Sequence, residues 1–142
     1  MHNHCLAFGL LLVPLTGSCK STISADWELN GMTISGADVT ATGTMQIGAG
    51  GQGTLDIVSD AGDLTGAVRA KATTVTDLDW EVTFDGSGLP TEPLKCNYND
   101  RSCDSPPALD EFGCEGSDVD GNPWSLNWVN PADTTCGKFE VP

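Results

Sequence analysis

From Asp26 onward the chain alternates apolar and polar residues with a period of two. In DVTATGTMQI, Val39, Ala41, Gly43, Met45 and Ile47 share one face, and Asp38, Thr40, Thr42, Thr44 and Gln46 share the other. DLDWEVTFD repeats the pattern: Leu78, Trp80, Val82 and Phe84 are predicted inward, and Asp77, Asp79, Glu81, Thr83 and Asp85 outward. Successive strand side chains point to opposite faces, so this is the alternation of antiparallel strands with one face on a core. Further strands are expected over residues 26–35, 53–59, 66–75, 94–98, 112–119, 123–129 and 138–141. Between them lie Gly- or Asp-rich turns: GAGGQG, SDAGDLTG, DGSGLPTEP, DVDGN and NPADT. Short strands at regular spacing with such turns predict an all-β fold, either an antiparallel β-sandwich or a small up-and-down β-barrel of about eight strands. Helical spacing is nearly absent. In SPPALDEFG, Ser105 as cap, Pro106 as first residue and Gly113 as stop predict at most one short helical turn near 105–112.

Two strand details follow from the same pattern. In 26–35 the phase changes at Asn30-Gly31, since Trp27 and Leu29 share one parity and Met32 and Ile34 the other. An Asn-Gly turn or a bulge would absorb that shift. Pairing 66–75 with 77–85 around Thr76 sets Ala72 against Trp80, Ala70 against Val82 and Val68 against Phe84, small residues facing large ones. On the outer side Lys71 then faces Glu81 and Arg69 faces Thr83. A slip of one residue would place Trp80 opposite a charged side chain, so the register should hold.

The chain begins differently. LAFGLLLVPL, residues 6–15, is too short to span a bilayer as a helix and suits the apolar region of a secretory signal. Small residues, TGS, then precede Cys19. This combination resembles the lipobox of bacterial lipoproteins, with Thr16 where the pattern prefers leucine and no Lys or Arg in MHNHC. The resemblance implies that residues 1–18 are a signal peptide and that Cys19 becomes the first mature residue and carries a lipid. Residues 19–24 are then a lipidated N-terminus and short linker, and 25–142 one β domain. The implied location is the bacterial cell envelope, anchored to a membrane; a secreted or periplasmic product cut after Ser18 is the alternative.

Cysteine parity favours the same reading. Cys5 leaves with the signal; if Cys19 is acylated, Cys96, Cys103, Cys114 and Cys136 remain, an even number for an oxidising compartment. All four lie in the last third of the chain, which predicts two disulfides there. Three connectivities are open. In a meander, Cys114 and Cys136 would flank one strand from opposite sides, about 9–10 Å apart, too far for a disulfide. Cys96–Cys114 across a hairpin, with Cys103–Cys136 tying down its loop, is the favoured map. Zinc is disfavoured because no C-x-x-C pair occurs.

Charge narrows the partners. Asp and Glu number 20 against 6 Lys and Arg, a net charge of -14. Such a surface repels phosphate backbones, so no nucleic acid is expected as partner. Both histidines, His2 and His4, precede the apolar run, so a mature domain starting at Cys19 has none. That excludes Ser-His-Asp and Cys-His catalysis within the chain and imidazole metal ligands. No cofactor is expected. DVDGN places Asp118, Asp120 and Asn122 at alternate positions, a weak Ca²⁺ candidate, but its glycine and closing acid do not fit an EF-type loop. The row Asp77, Asp79, Glu81 and Asp85 offers paired carboxylates of the kind a glycosidase needs, yet on a strand face rather than in a cleft.

Four tryptophans, Trp27, Trp80, Trp124 and Trp128, fall on inward strand positions. They are either core aromatics or the lining of a site for an apolar or glycan ligand. The early strand tryptophan in an acidic antiparallel chain resembles bacterial lipocalin-like domains, with Ala25 where their signature has glycine; the resemblance assigns no binding residue. The expectation is a non-catalytic β domain on a lipid anchor, working by ligand binding or surface interaction. The alternative is a secreted Ca²⁺-binding or carboxylate-dependent carbohydrate-active protein.

Overall fold

The computed structural model describes residues 22–132 and Cys136. The expected signal, the lipidation site Cys19 and the strand at 138–141 lie outside the described residues. The strands are β1 (Ala25–Ile34), β2 (Ala37–Asp38), β3 (Ala41–Ile47), β4 (Gln52–Ser59), β5 (Leu64–Ala72), β6 (Asp79–Asp85), β7 (Leu94–Asn99), β8 (Glu111–Ser117) and β9 (Pro123–Val129). From β3 to β9 each strand pairs antiparallel with the next; β1 pairs with β3 on one side and β9 on the other. Eight strands therefore close into an up-and-down barrel, and the two-residue β2 is an extra strand beside the end of β1. Barrel rather than sandwich is the outcome. Closure pairs every wall strand on both sides and leaves no long edge exposed to another chain.

The interior follows from the period-two alternation. Met45 and Ile47, Leu55 and Ile57, Val68 and Ala70, Trp80, Val82 and Phe84 point inward and are buried. The last third adds Leu94, Cys96, Tyr98, Phe112, Cys114, Trp124, Leu126 and Trp128, all in the same cluster. Where an inward position is glycine, a neighbour fills the space. A Cβ on Gly116 would meet the Leu94 side chain at 2.9 Å, one on Gly66 would meet Leu89 at 2.8 Å, and one on Gly43 would meet Ile57 at 2.9 Å. Packing at that density is what makes single core truncations costly.

The register of β5 against β6 is the expected one, with Ala72↔Trp80, Ala70↔Val82, Val68↔Phe84, Lys71↔Glu81 and Arg69↔Thr83. The phase change in β1 is a bulge: the ladder to β9 shifts between Leu29 and Gly31, so Trp27 and Met32 both end up buried. At the far end of β1, Ser35 and Gly36 both have positive φ, 54° and 80°. That pair of left-handed residues is what a two-residue hairpin needs to match strand twist.

Two expectations fail locally. No helix forms near 105–112; those residues are irregular up to the start of β8 at Glu111. Consecutive prolines explain this, because Pro107 disfavours the helical region for Pro106. The stretch is instead held by hydrogen bonds from Ala108 N to the Arg101 carbonyl and from Asp104 N to the same oxygen. The start of β6 is also inverted. Asp77, expected outward, is buried, and Leu78, expected inward, is 43% exposed. The cause is the left-handed backbone of Asp77, φ 61°, which breaks the alternation two residues before the strand.

The two disulfides are Cys96–Cys114 and Cys103–Cys136. The first joins residues directly opposite on β7 and β8, with Cα atoms 4.0 Å apart. The second ties the β7–β8 loop to Cys136, beyond β9. No described cysteine is free.

Strand direction sorts the turns into two ends. The N-terminal end carries the β3–β4 turn, the β5–β6 turn, the long β7–β8 loop and the segment after β9. The far end carries the Ser35–Gly36 turn and the β4–β5, β6–β7 and β8–β9 turns. Chain entry is at the N-terminal end, where Ile23 is fully buried.

Candidate functional site

All four tryptophans belong to one core. Trp27 is 1% exposed, Trp80 5%, Trp124 5% and Trp128 0%. Trp27 stacks at a tilt on Phe112, ring centroids 5.5 Å apart, and meets Tyr98 edge-on at 6.3 Å. Such contacts are worth about 0.5–1.5 kcal/mol beyond the area they bury. The indoles come together as packing, and no exposed aromatic platform for a sugar exists among the described residues.

Three indole N–H groups have a second task that their sequence positions do not disclose. Trp27 Nε1 donates to the Ile23 carbonyl at 2.9 Å and holds the incoming chain under the barrel. Trp80 Nε1 donates to the Asp77 carbonyl at 2.9 Å, and Thr22 Oγ1 donates to that same oxygen at 3.1 Å. Trp124 Nε1 donates to Asp118 Oδ2 at 3.1 Å. Each thus latches a turn or terminus onto the core. Trp128 Nε1 is buried and has no acceptor. A buried donor left unpaired costs about 1–3 kcal/mol, so this position is an energetic liability inside the barrel.

The calcium candidate resolves into a turn. Asp118 Oδ1 accepts from the backbone N–H of Asp120 at 3.0 Å and of Asn122 at 2.9 Å. Its Oδ2 accepts from Trp124 and from Asn122 Nδ2 at 3.3 Å. The Asn122 backbone bond, against some desolvation and with help from the Trp124, Asn122 side-chain and Asp120 bonds, holds this carboxyl below its ordinary pKa. Both oxygens are occupied in forming the β8–β9 hairpin, and the alternation of Asp118, Asp120 and Asn122 is the signature of that turn. Among the described residues no group of three or more His, Cys, Asp or Glu side chains is arranged to hold a metal ion.

The expected carboxylate row is broken and engaged. Asp77 has left it for the interior. Asp79 Oδ1 accepts from Asn97 Nδ2 at 3.0 Å. Glu81 lies between Lys71 on β5 and Lys95 on β7, and Lys95 lies between Glu81 and Glu115 on β8. This ladder of alternating sign around the outer wall suits strand pairing.

Sequence reasoning missed one buried carboxylate altogether. Asp110 is fully buried before β8. It accepts from the Tyr98 hydroxyl at 2.6 Å and from Arg101 N at 3.1 Å, while its carbonyl accepts from Asn130 N at 3.1 Å. Arg101 itself bridges Asp104 at 2.9 Å and Glu111 at 3.0 Å. Hydrogen bonds to Asp104 and Glu111 raise the guanidinium further above its already high pKa. The cluster closes the N-terminal end. The available signal was an acid followed by Phe112 in an otherwise apolar-inward strand entry, which reads equally well as a surface residue.

The outer wall carries shallow open depressions. One of about 500 Å³ lies over β6–β8, lined by Asp79, the edge of Trp80, Glu81, Lys95, Asn97 and Gly113. A second, of about 480 Å³, lies beside Asp26, Glu28, Gln46 and Asn130. A third, of about 430 Å³, is lined by Thr44, Thr54, Asp56 and Thr65. All three are edged by hydroxyls, amides and carboxylates; the first two expose more apolar than polar surface, and only the third is mainly polar.

The class defined by this geometry is a closed, eight-stranded up-and-down barrel with a side-chain-filled interior and a polar outer wall. No protein-family model, curated protein or solved structure matches the chain.

Proposed function

We propose that this chain is a lipid-anchored protein of the bacterial cell envelope whose barrel works by surface interaction, without catalysis. The observation that carries the surface reading is the filled interior, where the four tryptophans that would line a ligand cavity pack into one core instead. The anchor rests on the apolar run and the small residues before Cys19, and on cysteine parity. Two disulfides support an extracytoplasmic compartment, because such bonds persist under oxidising conditions. The partner surface is then the polar outer wall, with neutral or cationic partners favoured by the charge of -14. Mass spectrometry of the mature N-terminus tests the anchor: acylated Cys19 is expected, and an unmodified terminus overturns it.

One observation favours a second reading, an apolar ligand inside the barrel. The unpaired Trp128 Nε1 is a donor that a buried ligand oxygen would satisfy. Titration with long-chain fatty acids separates the two. Surface action predicts unchanged tryptophan emission, and an interior ligand predicts a saturable shift.

A further inference from the structure

The inverted start of β6 has a consequence at the N-terminal end. Asp77 is turned into the protein and Leu78 out of it, while Val75 at the tip of the same turn is 85% exposed. The turn is braced: Asp77 N donates to the Thr74 carbonyl, Thr74 and Thr76 hydroxyls meet at 2.9 Å, and the Leu78 carbonyl accepts from Tyr98 N at 2.8 Å. Two apolar side chains are therefore presented to the outside by a fixed backbone. The neighbouring β3–β4 turn, Gly48 to Gly51, carries no charge, and in the β5–β6 turn the one charged residue, Asp77, is buried. The β3–β4 turn is bonded to the end of β5 that leads into the β5–β6 turn, with Ala70 N donating to the Gly51 carbonyl. The far end is the opposite. Its turns carry Asp60, Asp63, Glu92, Asp118 and Asp120 and no Lys or Arg.

The chain enters the barrel at the end that carries these two turns, where Thr22 bonds the Asp77 carbonyl itself; the β7–β8 loop at the same end adds Asp100, Arg101 and Asp104. Two residues, Lys20 and Ser21, separate Cys19 from Thr22, a reach of about 10 Å at most. An acyl group on Cys19 would thus hold the β5–β6 turn at the membrane surface and direct the acidic rim away from it. We propose that Val75 and Leu78 form a membrane-contact patch that seats the anchored barrel on the lipid surface in one orientation. This rests on the anchor reading above and adds the surface that touches lipid. The outer wall, with its threonines and carboxylates, stays in water, so the barrel sits on the bilayer and does not cross it.

The test places a reporter at each end. Full-length chains carrying Val75→Trp or Val119→Trp, the latter at the exposed tip of the β8–β9 turn, are produced with their own signal. They are purified and reconstituted into phosphatidylethanolamine–phosphatidylglycerol vesicles with or without brominated acyl chains. Emission above that of the native chain is read. Brominated lipid is expected to quench the Val75→Trp excess at least twofold and to leave the Val119→Trp excess unchanged. Equal quenching at the two positions, with mass spectrometry showing acylated Cys19, overturns the patch and leaves the anchor standing. Val75→Trp emission that shifts with protein concentration and not with brominated lipid assigns the surface to a second copy of the chain and overturns the patch as well. An unmodified Cys19 removes the anchor, and the patch with it.

Discussion

The two ends of the barrel are closed by different means. At the N-terminal end the closing contacts join residues far apart in sequence. Thr22 reaches Asp77, Tyr98 reaches Asp110, and Cys103 is bonded to Cys136. At the far end most turns close on themselves. Ser59 Oγ accepts from Ala61 N and donates to the Gly62 carbonyl, Leu89 N donates to the Gly86 carbonyl, and Asp118 caps its own hairpin. Long-range contacts are formed only when the whole barrel is formed, so their loss should be felt globally. Local turns lose a local bond. The difference teaches where this protein keeps its cooperativity: at the end where the chain enters.

Reduction of both disulfides together is expected to exceed any single substitution. The loops they close span 18 and 33 residues, which in the chain-entropy account corresponds to about 3 and about 4 kcal/mol. A melting curve with and without reductant reads the loss. The largest effect expected of a single substitution is that of Trp27→Ala. It removes the aromatic contacts to Phe112 and Tyr98 and the bond to Ile23, and should cost about 3–5 kcal/mol in denaturant unfolding. Asp110→Ala leaves the Tyr98 hydroxyl and Arg101 N without their buried acceptor and should cost about 1–3 kcal/mol. If Asp110→Ala melts with the native chain, the N-terminal end is not where cooperativity resides.

Smaller effects belong to the far end and to exposed positions. Asp118 has a depressed pKa in the folded chain, so its contribution is present above the unfolded carboxylate range near pH 4. That contribution fades as pH falls through the lower folded value. Asp118→Asn should flatten this acid limb of the stability profile, measured as melting temperature against pH: it melts lower than the native chain at neutral pH and the two converge in acid. Leu78→Ser should cost no more than about 1 kcal/mol, well below a core truncation, because the residue is 43% exposed. A large loss at Leu78 would show that the strand alternation, and not the Asp77 inversion, describes this turn.

Much of this was legible in the chain. Outward charge on alternate residues cannot be buried cheaply, so β3, β5, β6 and β9 announced their inner faces, and the β5–β6 register followed from matching small residues to large. The bulge at Asn30-Gly31 was visible as a change of parity. The disulfide map was reachable because strand spacing excludes one pairing. Asp77 and Leu78 were not legible, since alternation assumes a β backbone at every residue and one left-handed residue cancels it. Asp118 reads two ways in the sequence, because metal ligands and turn caps need the same oxygen-bearing side chains.

What the sequence by itself determined is the set of strands, their inward residues, the local hairpins and the disulfide framework. These depend on side-chain period and nearest-neighbour geometry, which the chain carries explicitly. What only the tertiary structure decided is closure: the pairing of β9 with β1, the burial of Ile23 and Asp110 at one end, and the exposure of Leu78. Each of these depends on residues brought together across the barrel, where the free energy comes from surfaces that meet only after the meander has curled round on itself.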